Sequence, residues 1–157
     1  MVEIPREPDN IGWIFNMLSI ITAVYNEEKI VESFVKNAVG FLRKKKIDGE
    51  VLVVENGSTD DTLKILKNLQ KKYPELVIEI MPIGNKGLAL KRGLEMAHGT
   101  YLVHLDTDLW DQEFVESSIE HLENYEIVIG SKVIKGAKDD RSFAPRFINW
   151  GYNFVMR

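Results

Sequence analysis

The segment "EVLVVENGSTDDTLKIL", residues 50–66, holds a complete strand, turn and helix start. Its first six residues are a short, Val-rich apolar run ending on Glu55, the pattern of a strand buried on both faces. Asn56–Gly57 is a tight-turn signal. "STDD" then opens a helix: Ser58 or Thr59 can cap it, and Asp60 and Asp61 suit the positive helix N-terminus. Leu63, Leu66 and Leu69 follow on one inward stripe.

The same alternation recurs along the chain. Short apolar runs lie at "LSIITAV" (18–24), "LVIEIM" (76–81), "YLVHLD" (101–106) and "EIVIG" (126–130). Amphipathic segments separate them. One runs from about Glu28 to Lys45, with Ile30, Phe34, Ala38 and Phe41 on a stripe; another spans about Asp60 to Tyr73. A third runs from about Gly87 to Ala97, where Ala89, Gly93 and Ala97 form a small-residue face able to lie close against a sheet. A fourth covers about Asp111 to Glu123. Strand–helix alternation predicts an α/β protein of three layers, with a mostly parallel central sheet covered on both faces.

Composition narrows the function classes. The 157 residues suffice for one domain with a real core. With 20 Lys and Arg against 24 Asp and Glu, a net charge of −4, nothing global points to nucleic acid. Without cysteine, a disulfide scaffold, a thiolate zinc site and a Cys nucleophile are excluded, and the chain suits a reducing, cytoplasmic setting. The longest uncharged run, Ile11 to Tyr25, is shorter than the roughly 20 residues a membrane span needs, and no basic start precedes it. Residues 1–16 are expected to be an N-terminal extension and 17–157 the main domain, with Met17 as an alternative start.

In open parallel sheets, ligands bind beyond the carboxyl ends of the strands. Acidic and amide side chains gather at three of these ends: "YNEE" (25–28), "ENGSTDD" (55–61) and "DTD" (106–108). Two residues apart on an ideal strand, Asp106 and Asp108 would sit roughly 6.6 Å from each other, too far to neighbour each other on one cation. A strand ending at Thr107 would let them converge, or they can do different jobs. Their hard oxygens suit Mg2+ or Mn2+, which commonly take one or two carboxylates plus substrate phosphates. The alternative is a turn and a cap for the following helix. Glu55 could accept from a nucleobase N–H, and Glu27 from a base or ribose. Tyr25 could stack or pack. In "GNKGLALKRG" (84–93) Lys86 or Arg92 could reach a phosphate or could belong to a solvated helix face; neither G-x-x-x-x-G-K-[ST] nor G-x-G-x-x-G is present. His104, in mid-strand, is read as a core histidine.

In their order, a strand ending in Tyr-Asn-Glu-Glu, a strand followed by Glu-Asn-Gly-Ser-Thr-Asp-Asp-Thr, a Lys-Gly helix running into "GLEMAHGTYL" and then Asp-x-Asp resemble the family 2 glycosyltransferases. The subgroup most similar is that of the polyprenyl-phosphate (dolichyl-phosphate) sugar synthases. The resemblance runs from about Leu18 to the end. It implies the Rossmann-like GT-A fold and inverting transfer of a sugar from a UDP- or GDP-linked donor to a lipid-phosphate or glycan acceptor, with Mg2+ or Mn2+ as cofactor. It implies that Tyr25, Glu27 and Glu55 lie near the base, and that Asp106 lies near the ribose and diphosphate. Asp108 would be the main metal ligand. Lys132, in "GSKVIKG" (130–136), stands where the family has Arg, and Arg146, in "RSFAPRFINWGYN" (141–153), falls in a phosphate-holding basic segment.

Ala23 replaces the family's usual proline, and Glu55–Asn56 its usual Asp-Asp, which leaves the base preference open. The family's catalytic domains continue for tens of residues beyond the position of Arg157, so the donor half is better represented than the acceptor half. A nucleotide-sugar-binding domain without turnover is the alternative. The resemblance also leaves open peripheral attachment to the inner face of a membrane, and a homodimer. A phospho-acceptor signalling domain would share the strand-end acids, but "YNEE" and "GSK" fit it poorly.

Overall fold

A computed structural model of the chain describes residues 2–5, 17–82, 84–122 and 124–130. In chain order the elements are β1 (Val2–Pro5), β2 (Leu18–Val24), α1 (Val31–Lys45), β3 (Gly49–Glu55), α2 (Thr62–Gln70), β4 (Leu76–Ile80), α3 (Lys86–Met96), β5 (Tyr101–His104), α4 (Gln112–His121) and β6 (Tyr125–Ile129). Strands β2 to β5 form one four-stranded sheet in the order β4-β3-β2-β5, parallel throughout.

Side-chain alternation along these strands assigns the two faces. Leu18, Ile20, Val24, Val51, Val53, Val103 and Leu105 join one core with Phe34, Val35, Ala38, Val39, Phe41 and Leu42 of α1, Leu66 and Leu69 of α2, and Val115 of α4. Trp110 closes this layer with edge-on contacts to Phe34 and Phe41. The other face carries α3. There Gly93 lies so close to β2 and β3 that an added Cβ would stand 2.7 Å from Ile21 Cγ2 and 3.2 Å from Val54 Cγ2. The small-residue face expected from the sequence thus has a packing cause. The architecture is the expected three-layer α/β arrangement.

The fifth apolar run also forms a strand, but outside the parallel sheet. Residues Tyr125–Ile129 pair antiparallel with Val2–Pro5 in a separate two-stranded sheet.

Helix starts differ from expectation for one reason. Glu28 and residues 58–61, read as first turns or caps, are instead bonded across the two loops, and α1 begins at Val31 and α2 at Thr62. Ser58 and Thr59 do not cap α2; Asp60 Oδ1 accepts from Thr62 N–H. β5 ends at His104, two residues short of the expected Asp106.

A second polar cluster sits at the amino-terminal ends of β2 and β3. Glu50 Oε1 accepts from the Ser19 hydroxyl at 2.7 Å and from His98 N–H at 2.8 Å, while Oε2 lies 3.3 Å from His98 Nδ1. Burial works to raise the Glu50 carboxyl, but the bonds from His98 N–H, the Ser19 hydroxyl and the His98 ring outweigh it and hold the pKa below the ordinary range. Gly99 N–H donates to the same Ser19 hydroxyl. This cluster anchors the C-terminal end of α3 to the starts of β2 and β3.

Candidate functional site

Strand order locates the crevice. The chain moves from β2 to β3 to β4 in one direction, then returns to lay β5 on the other side of β2. The reversal lies between β2 and β5, and outside the carboxyl ends of such a pair is where open α/β sheets take ligands. The loops around it carry residues 25–28, 55–61, 84–85 and 105–111.

The first two loops are stitched together by bonds between residues 32 to 35 positions apart. Asn26 takes the left-handed conformation, φ 56°, which a short amide side chain tolerates. Its Oδ1 accepts from Thr59 N–H and its own N–H donates to Ser58 Oγ. Glu27 N–H donates to Thr62 Oγ1, and Glu28 Oε2 accepts from Asp61 N–H. Burial works to raise the Asp60 carboxyl, but bonds from the Thr62 hydroxyl and from the N–H groups of Thr62 and Glu28 hold its pKa low. Many of the polar residues that make "YNEE" and "NGSTDDT" conspicuous therefore serve each other. Tyr25 and the Glu27 carboxylate are left over: Tyr25 is 52% exposed, and the carboxylate has no partner among the described residues.

Glu55 ends β3 almost fully buried, and its Oε1 accepts from Ser58 N–H. Its carboxylate fixes the turn at Gly57, whose φ of 79° is available to glycine at little cost. Asn56, next in line, is 4% exposed and points to the other face, where its Oδ1 accepts from Asn85 N–H at 2.8 Å. Asn85 caps α3 by accepting from Leu88 N–H. The end of β3 thereby sets where α3 begins, and α3 begins with Lys86.

Lys86 Nζ lies 2.7 Å from Asp106 Oδ1. The pairing brings together two residues that the sequence nominated 20 positions apart. Arg92, the other candidate in that segment, is turned to Glu79 at 2.8 Å. Beyond Asp106 the chain turns through a backbone bond from Leu109 N–H to Asp106 O. The cap of α4 is Asp111, whose Oδ1 accepts from Phe114 N–H. Neither role read as the alternative for the Asp-x-Asp pair uses its carboxylates. Asp108 is exposed and has no partner among the described residues.

His104 requires a correction. It is not a core residue: it ends β5 on the α3 side, with Nδ1 3.1 Å from Ile21 O and Nε2 3.8 Å from Asp106 Oδ1. A carbonyl only accepts, so Nδ1 carries the proton, and in the neutral ring the Nε2 lone pair faces Asp106. Its place two residues before Asp106, on the same strand face, was the available signal. The bond from Asn85 N–H to Asn56 Oδ1 also went unread, because it joins residues 29 positions apart. An open groove of about 460 Å3 lies along α2, lined by Leu63, Lys64, Lys67 and Lys71 among others, and takes none of the strand-end residues Tyr25, Glu55, Lys86 or Asp106. Lys132 and Arg146 lie outside the described residues.

A parallel, doubly wound sheet with acids at its switch point is Rossmann-like, and the solved structures it matches give it the GT-A fold. The chain belongs to glycosyl transferase family 2, which matches residues 19–156. It is 29% identical over 152 residues to a dolichyl-phosphate beta-glucosyltransferase of Trichomonas vaginalis, covering 88% of this chain and 47% of that protein. It is 32% identical over 143 residues to a dolichol-phosphate mannosyltransferase of Pyrococcus furiosus, covering 89% and 40%. The solved mannosyltransferase from Pyrobaculum calidifontis, in complex with GDP-Man and Mn2+, matches with a TM-score of 0.60 at 25% identity, over 68% of this chain and 32% of that one. The chain spans about half the length of the curated relatives it matches.

Proposed function

We propose that this chain forms the donor side of a glycosyltransferase that moves a sugar from a UDP- or GDP-linked donor to a polyprenyl phosphate or a glycan, with inversion at the anomeric carbon. The observation that carries the reading is the meeting of Lys86 with Asp106 beside an uncommitted Asp108 at the switch point. The donor set fits Mg2+ or Mn2+. It offers hard carboxylate oxygens, and among the described residues no group of three His, Cys, Asp or Glu could enclose a metal. Such a site suits a cation that completes its shell with diphosphate oxygens and water. Bound there, the cation would supply Lewis-acid stabilisation of the departing diphosphate.

Asp108 is the main ligand on this reading, and Asp106 faces the ribose and diphosphate. Tyr25 and the Glu27 carboxylate lie toward the base, with Glu55 behind them holding the Ser58 turn. Lys86 supplies positive charge to the diphosphate, and Lys132 and Arg146 add to it. An acceptor phosphate is already ionised and needs no strong general base, whereas a hydroxyl would need one. A lipid-phosphate acceptor would put the reaction at the cytoplasmic face of a membrane; among the described residues no helix is long and apolar enough to cross one.

A thermal-shift screen of UDP, GDP, UDP-glucose and GDP-mannose, with and without Mn2+, tests the donor site. Stabilisation that needs both nucleotide and metal is expected. If no nucleotide raises the melting temperature with Mn2+ present, the donor reading fails. A second reading is nucleotide-sugar binding without turnover. Metal-dependent binding with neither transfer nor sugar hydrolysis would select it.

A further inference from the structure

Lys86 breaks a local rule. It is the first residue of α3, where the helix dipole disfavours a cation, and the first turn of that helix carries no acid to offset it. The compensation comes from another element: Asp106 Oδ1, 2.7 Å away. Both side chains remain accessible, 65% and 39% exposed, so this ion pair is weak and easily exchanged. The start of α3 is not loose. Asn85 caps it, and the buried Asn56 holds Asn85 by its N–H. A fixed backbone thus carries a mobile ammonium on a four-carbon stem.

One of the two carboxylates is therefore neutralised by the chain's own lysine, while Asp108 has no partner among the described residues. A divalent cation arriving alone meets one free carboxylate and a neighbouring positive charge. A cation arriving with a diphosphate meets a different balance. The phosphates can take the ammonium, and Asp106 is then released.

We infer that Lys86 is an exchangeable counter-cation, paired with Asp106 until the donor binds and then transferred to its diphosphate. The inference rests on the donor-site reading above. Its consequence is coupling: cation and nucleotide diphosphate each raise the other's affinity, and the cation alone binds weakly.

The test measures Mn2+ binding to the full chain without nucleotide, by the electron paramagnetic resonance signal of free Mn2+. Calorimetric titration with GDP and UDP at saturating Mn2+ follows. The variants are Lys86→Met, Lys86→Arg and Asp106→Asn, alone and combined. Circular dichroism checks that each is folded, as the exposure of both side chains leads one to expect. Lys86→Met is expected to tighten binding of Mn2+ alone about two- to fivefold, the scale of an accessible ion pair. The same variant is expected to weaken diphosphate binding and reduce the coupling between the two. Lys86→Arg should behave like the parent. In the Asp106→Asn background, Lys86→Met should tighten Mn2+ binding less than it does in the parent, because no carboxylate is left for it to release. If the parent binds diphosphate with Mn2+ but Lys86→Met leaves Mn2+ affinity equal or weaker, the exchange is wrong and the donor reading survives. If the parent binds no nucleotide diphosphate with Mn2+, both are overturned.

Discussion

Replacing Asn56 by Ala tests whether the end of β3 positions the start of α3. Asn56 is 4% exposed, and its Oδ1 accepts from Asn85 N–H at 2.8 Å. Alanine leaves that donor without its partner in a part-buried place, which costs about 1–3 kcal/mol. For a domain of this size each kcal/mol lowers Tm by about 2–4 °C, so a fall of roughly 2–12 °C is expected. Lys86 follows Asn85 directly, so the variant should also weaken nucleotide diphosphate binding with Mn2+ present. Asn56→Asp keeps an acceptor oxygen at that point and should lose less on both counts. Urea unfolding followed by circular dichroism gives the stability, and calorimetric titration gives the affinity. An alanine variant as stable as the parent, or alanine and aspartate variants that lose equally, would refute the positioning role.

Three further outcomes follow from the geometry. Gly99→Ala would set a Cβ 2.5 Å from Ser19 N and 2.8 Å from Tyr101 O, both backbone atoms, and should destabilise by more than roughly 2 kcal/mol in urea unfolding. The Glu50 carboxyl has its pKa held below the ordinary 4.5 in the folded chain, so its contribution is complete above that value and is lost as pH falls through the folded pKa. Glu50→Gln keeps an acceptor for Ser19 and His98, so the parent's stability advantage over it should shrink between about pH 5 and pH 3; an advantage constant over that range would contradict the assignment. Asp111→Ala should cost about 1 kcal/mol through loss of the α4 cap while leaving nucleotide binding intact, whereas Asp108→Asn should do the reverse.

The parallel sheet was legible because β2 and β3 are buried on both faces and read as unbroken apolar runs, and because turn chemistry is local to "NGSTDD". The placement of α3 was legible through Ala89 and Gly93, since close helix–sheet approach demands small residues. What could not be read depends on partners distant in sequence. Ser58 and Thr59 look like helix caps until Asn26 is brought beside them. His104 looks like a core residue because an apolar strand surrounds it in sequence, but alternation turns it toward Asp106. The run at 126–130 has the composition of a central strand, and only tertiary pairing assigns it to β1. At the site, sequence nominated Lys86 and Asp106 separately, and the fold pairs them. It could not foresee that the turn after Asp106 runs through the backbone and that Asp111 caps α4, the two facts that leave Asp108 uncommitted.

The most direct test of the central claim is a calorimetric titration of UDP and GDP into the chain with and without Mn2+, repeated with Asp108→Asn. The account predicts binding of at least one nucleotide that strengthens with Mn2+ in the parent and loses that metal dependence in the variant. Nucleotide and Mn2+ binding equal in parent and Asp108→Asn would contradict it.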